Sequence, residues 1–153
     1  MLAKLKALLD QSLQSNSIDT PQALEQRLQL ASAVLLLEVA RSDYRIEASE
    51  LEGIRQGIQS CFSLPDETIE LLMEQATSKV EEIIDFHQFT SLLNKQFSLE
   101  QKCTLVENMW RIGFADGTLD IYEDQFIRKI SDLLYLRHSE MLAARERARK
   151  TLP

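Results

Sequence analysis

The chain has 153 residues, of which 44% are hydrophobic, as is typical of one globular domain and not of a disordered chain. Its 24 acidic and 17 basic residues give a net charge of −7, which argues against nucleic acid as a partner. Only 4 glycines and 3 prolines are present, too few for the many tight turns of an all-β fold.

Leucines at helical spacing, mixed with lysines, predict a helix over residues 1–14 and not a signal peptide. Thr20 and Pro21 are typical of an N-cap and a first helical position, so a second helix begins there and runs to about Ser42. Residues 31–40 are apolar on nearly every side, which predicts that this helix is central. Further helices are predicted over 47–62 and 65–79.

The second part of the chain repeats this pattern of helices. A short helix is predicted from about Asp85, and Ser98 with Gln101 forms a capping box that opens a helix ending at Ala115. Two more helices are predicted over 120–135 and 139–150, and no segment alternates as a strand would. The sequence therefore predicts an all-α fold, a compact bundle of seven or eight helices in a single domain over 1–153.

Cys61 and Cys103 lie far apart without a C-x-x-C motif, and we expect both to be reduced core residues. The longest apolar run, residues 33–37, is far too short to span a bilayer. We therefore expect a soluble, cytoplasmic protein. Because no Gly-rich phosphate loop, G-x-S-x-G or H-E-x-x-H motif occurs, no catalytic residue is indicated and we expect no enzyme.

An internal repeat appears when the chain is shifted by 73 residues, which places residues 43–50 on residues 116–123. Acidic residues coincide at three places, and apolar residues coincide where Ile46 meets Leu119 and Ile54 meets Ile127. The shift predicts that residues 34–62 and 107–135 superpose as a pseudo-twofold pair, two helix–acidic turn–helix halves.

The acidic turns have two interpretations. As caps, Glu47 or Asp120 would be the N-cap of the next helix, with a glutamate three residues later completing a capping box. As ligands, three carboxylates in each turn would bind a hard divalent cation, Ca²⁺ or Mg²⁺, through oxygen. The candidate metal ligands are Asp43, Glu47 and Glu50 in the first turn and Asp116, Asp120 and Glu123 in the second.

The second turn is the better candidate for a cation, because Gly117 makes it tight whereas Tyr44 stands at that position in the first. Neither turn has the spacing of an EF-hand loop. Asp116 follows the end of one helix and precedes the N-cap of the next. Capping therefore gives it little reason to be acidic, and we expect its charge to serve function.

Residues 114–123, Phe-Ala-Asp-Gly-Thr-Leu-Asp-Ile-Tyr-Glu, and more weakly residues 40–50 resemble the tellurite-resistance protein B (TerB-like) family. The resemblance covers about residues 25–148, which would form the core of the domain. It implies an all-α fold of two pseudo-symmetric halves, with acidic turns implicated in metal binding. It also implies a stress-response role linked to tellurium oxyanions, through binding and not catalysis. Some family members are fused to co-chaperone and membrane-associated proteins.

Two functional hypotheses follow. The first is a non-enzymatic domain that binds a divalent cation, a partner protein or both, and the second is a pure interaction module whose acidic turns are only caps. Residues 66–85 carry seven acids and one lysine, either a solvated face or a docking face for a basic partner. The basic residues 145–150 complement the last helix dipole or contact an anionic lipid surface or acidic partner, so peripheral membrane or membrane-protein association is a further expectation. We expect a monomer.

Overall fold

The computed structural model describes residues 20–41, 48–80, 82, 85–115 and 119–151. In this part of the chain all regular structure is helical, which confirms the all-α bundle. The seven helices are α1 (Pro21–Arg41), α2 (Ala48–Phe62), α3 (Asp66–Val80), α4 (His87–Gln96), α5 (Leu99–Gly113), α6 (Ile121–Leu133) and α7 (His138–Lys150). The helix predicted over 1–14 lies outside the described residues.

Local capping sets the starts of the helices. The Thr20 hydroxyl accepts the Ala23 amide at 3.1 Å, so Thr20 is the N-cap of α1 as predicted. At α5, the Ser98 hydroxyl accepts the Gln101 amide at 3.2 Å and the Gln101 side chain accepts the Ser98 amide at 2.8 Å. This reciprocal pair confirms the predicted capping box.

Helix α6 ends at Leu133, earlier than the predicted end near Tyr135. The reason is the backbone of Tyr135, which has φ 61° and so adopts a left-handed conformation that a helix cannot continue. The amide of the next residue, Leu136, turns back to the Ser131 carbonyl at 3.0 Å. Ser63, with φ 52°, follows the end of α2 in the same way.

The core is built around α1 and α5. Between residues 28 and 40 of α1 every residue is buried except Glu38, which confirms the predicted central position of this helix. Helix α1 packs against α2, α3, α4, α5 and α6, and α5 packs most extensively against α7. Met109 and Trp110 of α5 are fully buried.

Two glycines allow α2 to approach the central helices closely. A Cβ at Gly57 would lie 3.2 Å from Leu36 Cδ1 on α1 and 3.4 Å from Asn108 Cβ on α5. One turn earlier, a Cβ at Gly53 would be 3.5 Å from Ile112 Cγ1, an ordinary contact. The α2 backbone therefore sits deeper in the bundle than a helix with larger residues at position 57 could.

The helix order partly repeats across the two halves. Helices α2 and α6 begin at residues 48 and 121, and 121 − 48 = 73, the shift found in the sequence. Helix α3 packs chiefly on α1 as α7 does on α5, but α2 contacts α5 far more than α6 contacts α1. Superposition of the two halves stays a prediction. Among the described residues, no helix is both long and apolar enough to cross a membrane.

Candidate functional site: the acidic turns

The second acidic turn joins the end of α5 to the start of α6 and carries a complete capping box. The Asp120 carboxylate accepts the Tyr122 amide at 3.0 Å, and Glu123 Oε1 accepts the Asp120 amide at 3.4 Å. Both carboxylates also lie where the positive end of the helix dipole favours negative charge. The predicted N-cap and third-position roles of Asp120 and Glu123 are therefore confirmed.

The Glu123 side chain is directed into the protein and is only 8% exposed. A Cβ on Gly113, the last residue of α5, would lie 3.6 Å from Glu123 Oε2 and 2.7 Å from Leu119 Cδ1. The missing side chain at Gly113 thus leaves room for Leu119, whereas the distance to Glu123 would be an ordinary contact. Leu119 packs against the core, and Ile127 is fully buried one turn further along α6.

Burial distinguishes the glutamates of the acidic turns from the other residues at the third helical position. Gln101 in α5 is exposed and Glu140 in α7 is half-buried, yet each accepts the amide of its N-cap residue. Glu50 in α2 is 6% exposed and Glu123 in α6 is 8% exposed. The two glutamates of the acidic turns therefore differ from Gln101 and Glu140 in burial.

The six candidate metal ligands are only partly within the described chain. The structure brings Asp120 and Glu123 together at the start of α6 and places Glu50 in the first turn of α2. Asp43, Glu47 and Asp116 lie outside the described residues. Among the residues that are described, no group of three His, Cys, Asp or Glu side chains could hold a metal ion. A cation site in either turn would therefore have to include residues beyond this part of the chain.

Two features beside the second turn were not predicted from the sequence. Ile121 and Tyr122, the first residues of α6, are 65% and 67% exposed. The only signal in the sequence was their position directly after the N-cap residue Asp120. They form an apolar rim beside the acidic turn.

The cysteines and histidines add no reactive group to the acidic turns. Burial raises the pKa of the Cys61 thiol to about 11, so the thiol is protonated at neutral pH. Burial, and next the charge of Glu140, raise the pKa of Cys103. Both cysteines are free and partly buried against the core, and His87 and His138 are exposed on α4 and α7.

The fold and the second turn together define a class of protein, an all-helical bundle in which an acidic capping turn links α5 to α6. The family model of tellurite resistance protein TerB matches residues 29–146, which is 146 − 29 + 1 = 118 of the 153 residues. The chain therefore belongs to the TerB family. Comparison with curated proteins and with solved structures found no match.

Proposed function

We propose that this TerB-family domain acts without catalysis, in a role related to tellurite resistance, and that its second acidic turn binds a divalent cation, Ca²⁺ or Mg²⁺. The observation that carries the proposal is the burial of Glu123, which is 8% exposed, whereas Gln101 at the same helix position in α5 is exposed. Buried carboxylates are paired, hydrogen-bonded or coordinated to a metal, and carboxylate oxygens are the ligands that Ca²⁺ and Mg²⁺ prefer.

The sequence around Glu123 supplies the other oxygens. Asp120 stands at the N-cap, and Asp116 follows the C-terminus of α5, where the helix dipole disfavours a negative charge. A cation would offset that unfavourable placement, whereas the capping box makes no use of Asp116. The corresponding set in the first turn, Asp43, Glu47 and Glu50, is the weaker candidate, because the glycine of the second turn is absent there.

The test is the substitution Asp116→Asn, which keeps the shape of the side chain and removes its charge. The melting temperatures of wild type and variant are measured in EDTA and then with CaCl₂ or MgCl₂ up to about 10 mM. A site with a Kd of about 1 mM, the weak end of calcium modules, would stabilise the wild type by about 1.4 kcal/mol at that concentration. We expect a much smaller response from the variant.

A capping variant outside the turn serves as the control. Ser98→Ala removes the side-chain cap of α5 and should cost about 0.5–2 kcal/mol, with its response to cation unchanged. If the wild type and Asp116→Asn respond alike to both cations, the acidic turns are caps only. The alternative function is then a pure protein-interaction module, for which the acid-rich face of α3 is the supporting observation.

A further inference from the structure

Helix α3 has one buried face and one acidic face. Ile69, Leu72, Met73 and Ala76 are buried, and they account for its packing on α1. The exposed side carries four acids along the helix, namely Asp66, Glu67, Glu70 and Glu74. Only the first two lie in the first turn, where the helix dipole favours negative charge. The dipole therefore gives no reason for acids at positions 70 and 74.

An open groove of about 370 Å³ runs between α2 and α3 beside this face. It is lined by Glu52, Arg55, Gln56, Gln59, Asp66, Ile69 and Glu70. Three carboxylates and one guanidinium give the lining a charge of −3 + 1 = −2, and Glu67 and Glu74 bring the surface to −4. We call the groove together with the exposed acids of α3 the acidic surface.

Arg55 is the cation that the groove already holds. Its Nε donates to Glu70 Oε1 in a short contact, and its Nη1 lies 3.5 Å from Glu52 Oε2. The hydrogen bond from Arg55 holds the pKa of Glu70 below its usual range. All three side chains are more than a third exposed, and ion pairs of that kind contribute little to folding stability. The groove thus accommodates a guanidinium without needing it to maintain the fold.

We propose that the acidic surface docks a lysine- or arginine-rich segment of a partner protein, and that Arg55 competes with the partner's cations for Glu52 and Glu70. The charge of the acidic surface indicates the kind of ligand. A net charge of −4 distributed along the groove and α3 is complementary to a segment that carries several lysine or arginine side chains. This surface is separate from the acidic turns, and the proposal does not depend on cation binding there.

Because Arg55 competes with the ligand for Glu52 and Glu70, removing the charge of Arg55 should improve binding of a basic peptide. The probe is a fluorescently labelled octalysine peptide, and its affinity is measured by fluorescence anisotropy at about 50 mM salt. Glu70→Gln should weaken binding and Arg55→Gln should tighten it, each by about two- to fivefold, the range that exposed ion pairs reach. Higher salt should weaken binding to both the wild type and Arg55→Gln.

Two matched variants separate the groove from net charge. Asp132→Asn removes one exposed acid from α6, and Arg149→Gln removes an exposed arginine of α7 that pairs with Glu146 at 2.8 Å. They change the net charge as Glu70→Gln and Arg55→Gln do, and we expect both to shift the affinity by less than about twofold. Circular dichroism verifies that all four variants are folded.

The proposal fails if octalysine does not bind the wild type at low salt. It also fails if the control variants shift the affinity as much as the groove variants do, because binding would then follow net charge alone. Asp116→Asn should leave octalysine binding within about twofold of the wild type, because Asp116 is not part of the acidic surface. The result for the acidic surface is therefore independent of the result for the acidic turn.

Discussion

Helices α2 and α6 each follow an acidic turn, and they begin alike and then diverge. Their third residues, Glu50 and Glu123, are both buried, and four residues later Ile54 and Ile127 are 1% and 0% exposed. At the position three residues after each glutamate, α2 has Gly53 and α6 has Phe126. At the position seven residues after, α2 has Gly57 and α6 has Ile130.

The comparison separates the residues that fix where a helix starts from the residues that determine which helices it packs against. The glycines let α2 lie against both α1 and α5, whereas Phe126 of α6 packs edge-on against Phe86, just before α4, with ring centroids 5.2 Å apart. At α6, the acids Asp120 and Glu123 act locally and set the first turn. Residue size after that turn then sets the packing partner.

Helices α3 and α7, which follow α2 and α6, differ in the charge of their exposed faces. Helix α3 packs on α1 and exposes acids, whereas α7 packs on α5 and exposes Arg147, Arg149 and Lys150. Arg147 and Arg149 have carboxylate partners within the chain, Glu107 and Glu146. The buried faces of α3 and α7 therefore each pack on one central helix, whereas their exposed faces differ in charge. The groove beside α3 keeps an excess of negative charge.

Substitutions of buried residues in the two central helices, α1 and α5, should have the largest effect on stability. They would test whether the two helices contribute equally to the core. Leu36 of α1 and Met109 of α5 are matched by the sequence shift, 109 − 36 = 73, and both are fully buried. Leu36→Ala and Met109→Ala should each reduce the free energy of unfolding by about 2–5 kcal/mol, measured by urea denaturation. Leu142→Ala, at a residue 40% exposed on α7, should stay within about 0.5 kcal/mol of the wild type. A loss below about 1 kcal/mol at both buried positions would contradict a bundle centred on these helices.

The next prediction places isoleucine, the residue at position 130 of α6, at position 57 of α2. Gly57→Ile should reduce the free energy of unfolding by about 1–3 kcal/mol, because the added carbons would meet Leu36 and Asn108 at an interface already in close contact. Urea denaturation measures the loss.

Gly53→Ala is the matched control, since its Cβ would make only an ordinary contact with Ile112 at 3.5 Å. Alanine is the better helix former by up to about 1 kcal/mol, so this variant should be as stable as the wild type or more stable. A fully stable Gly57→Ile protein would mean that the glycine does not determine how closely α2 approaches the central helices.

The features that the sequence predicted well are those that depend on neighbouring residues. The caps at Thr20, Ser98 and Asp120 each involve a partner two or three residues away, and the apolar pattern of α1 sufficed to place it at the centre. The end of α6 was missed by two residues, because Tyr135 adopts a left-handed backbone without being glycine or asparagine.

The candidate sites were less predictable, because their geometry depends on residues distant in sequence. Leu119 lies beside the end of α5 only because Gly113, six residues earlier, has no side chain, since a Cβ there would be 2.7 Å from Leu119 Cδ1. In the groove, Arg55 meets Glu70 only because α2 and α3 fold side by side, although fifteen residues separate them. The acid-rich composition of 66–85 suggested a docking face, but only the fold shows which acids share a groove with a cation.

The smallest expected effect concerns a position where the halves carry opposite charges, Glu38 in α1 and Arg111 in α5 (111 − 38 = 73). Glu38 is the one residue between 28 and 40 that is not buried, and its carboxylate lies 3.3 Å from the Arg41 guanidinium. Arg41 is also held by the Val80 carbonyl at 2.9 Å. Burial raises the pKa of Glu38 above its ordinary value of 4.5, outweighing the attraction of Arg41.

A raised pKa means that the folded state binds this proton more tightly than the unfolded state does. The stability it contributes is fully present below pH 4.5 and is lost as the pH rises through the folded pKa of Glu38. Glu38→Gln, which mimics the protonated form, should therefore match the wild type at pH 4. At pH 7 it should be more stable than the wild type in urea denaturation, because the glutamine carries no charge for burial to disfavour. Glu25→Gln removes an exposed charge from the same helix and serves as the control. A Glu38→Gln protein less stable than the wild type at pH 7 would show that the pairing with Arg41 outweighs burial, and that the negative charge in α1 stabilises its half of the bundle.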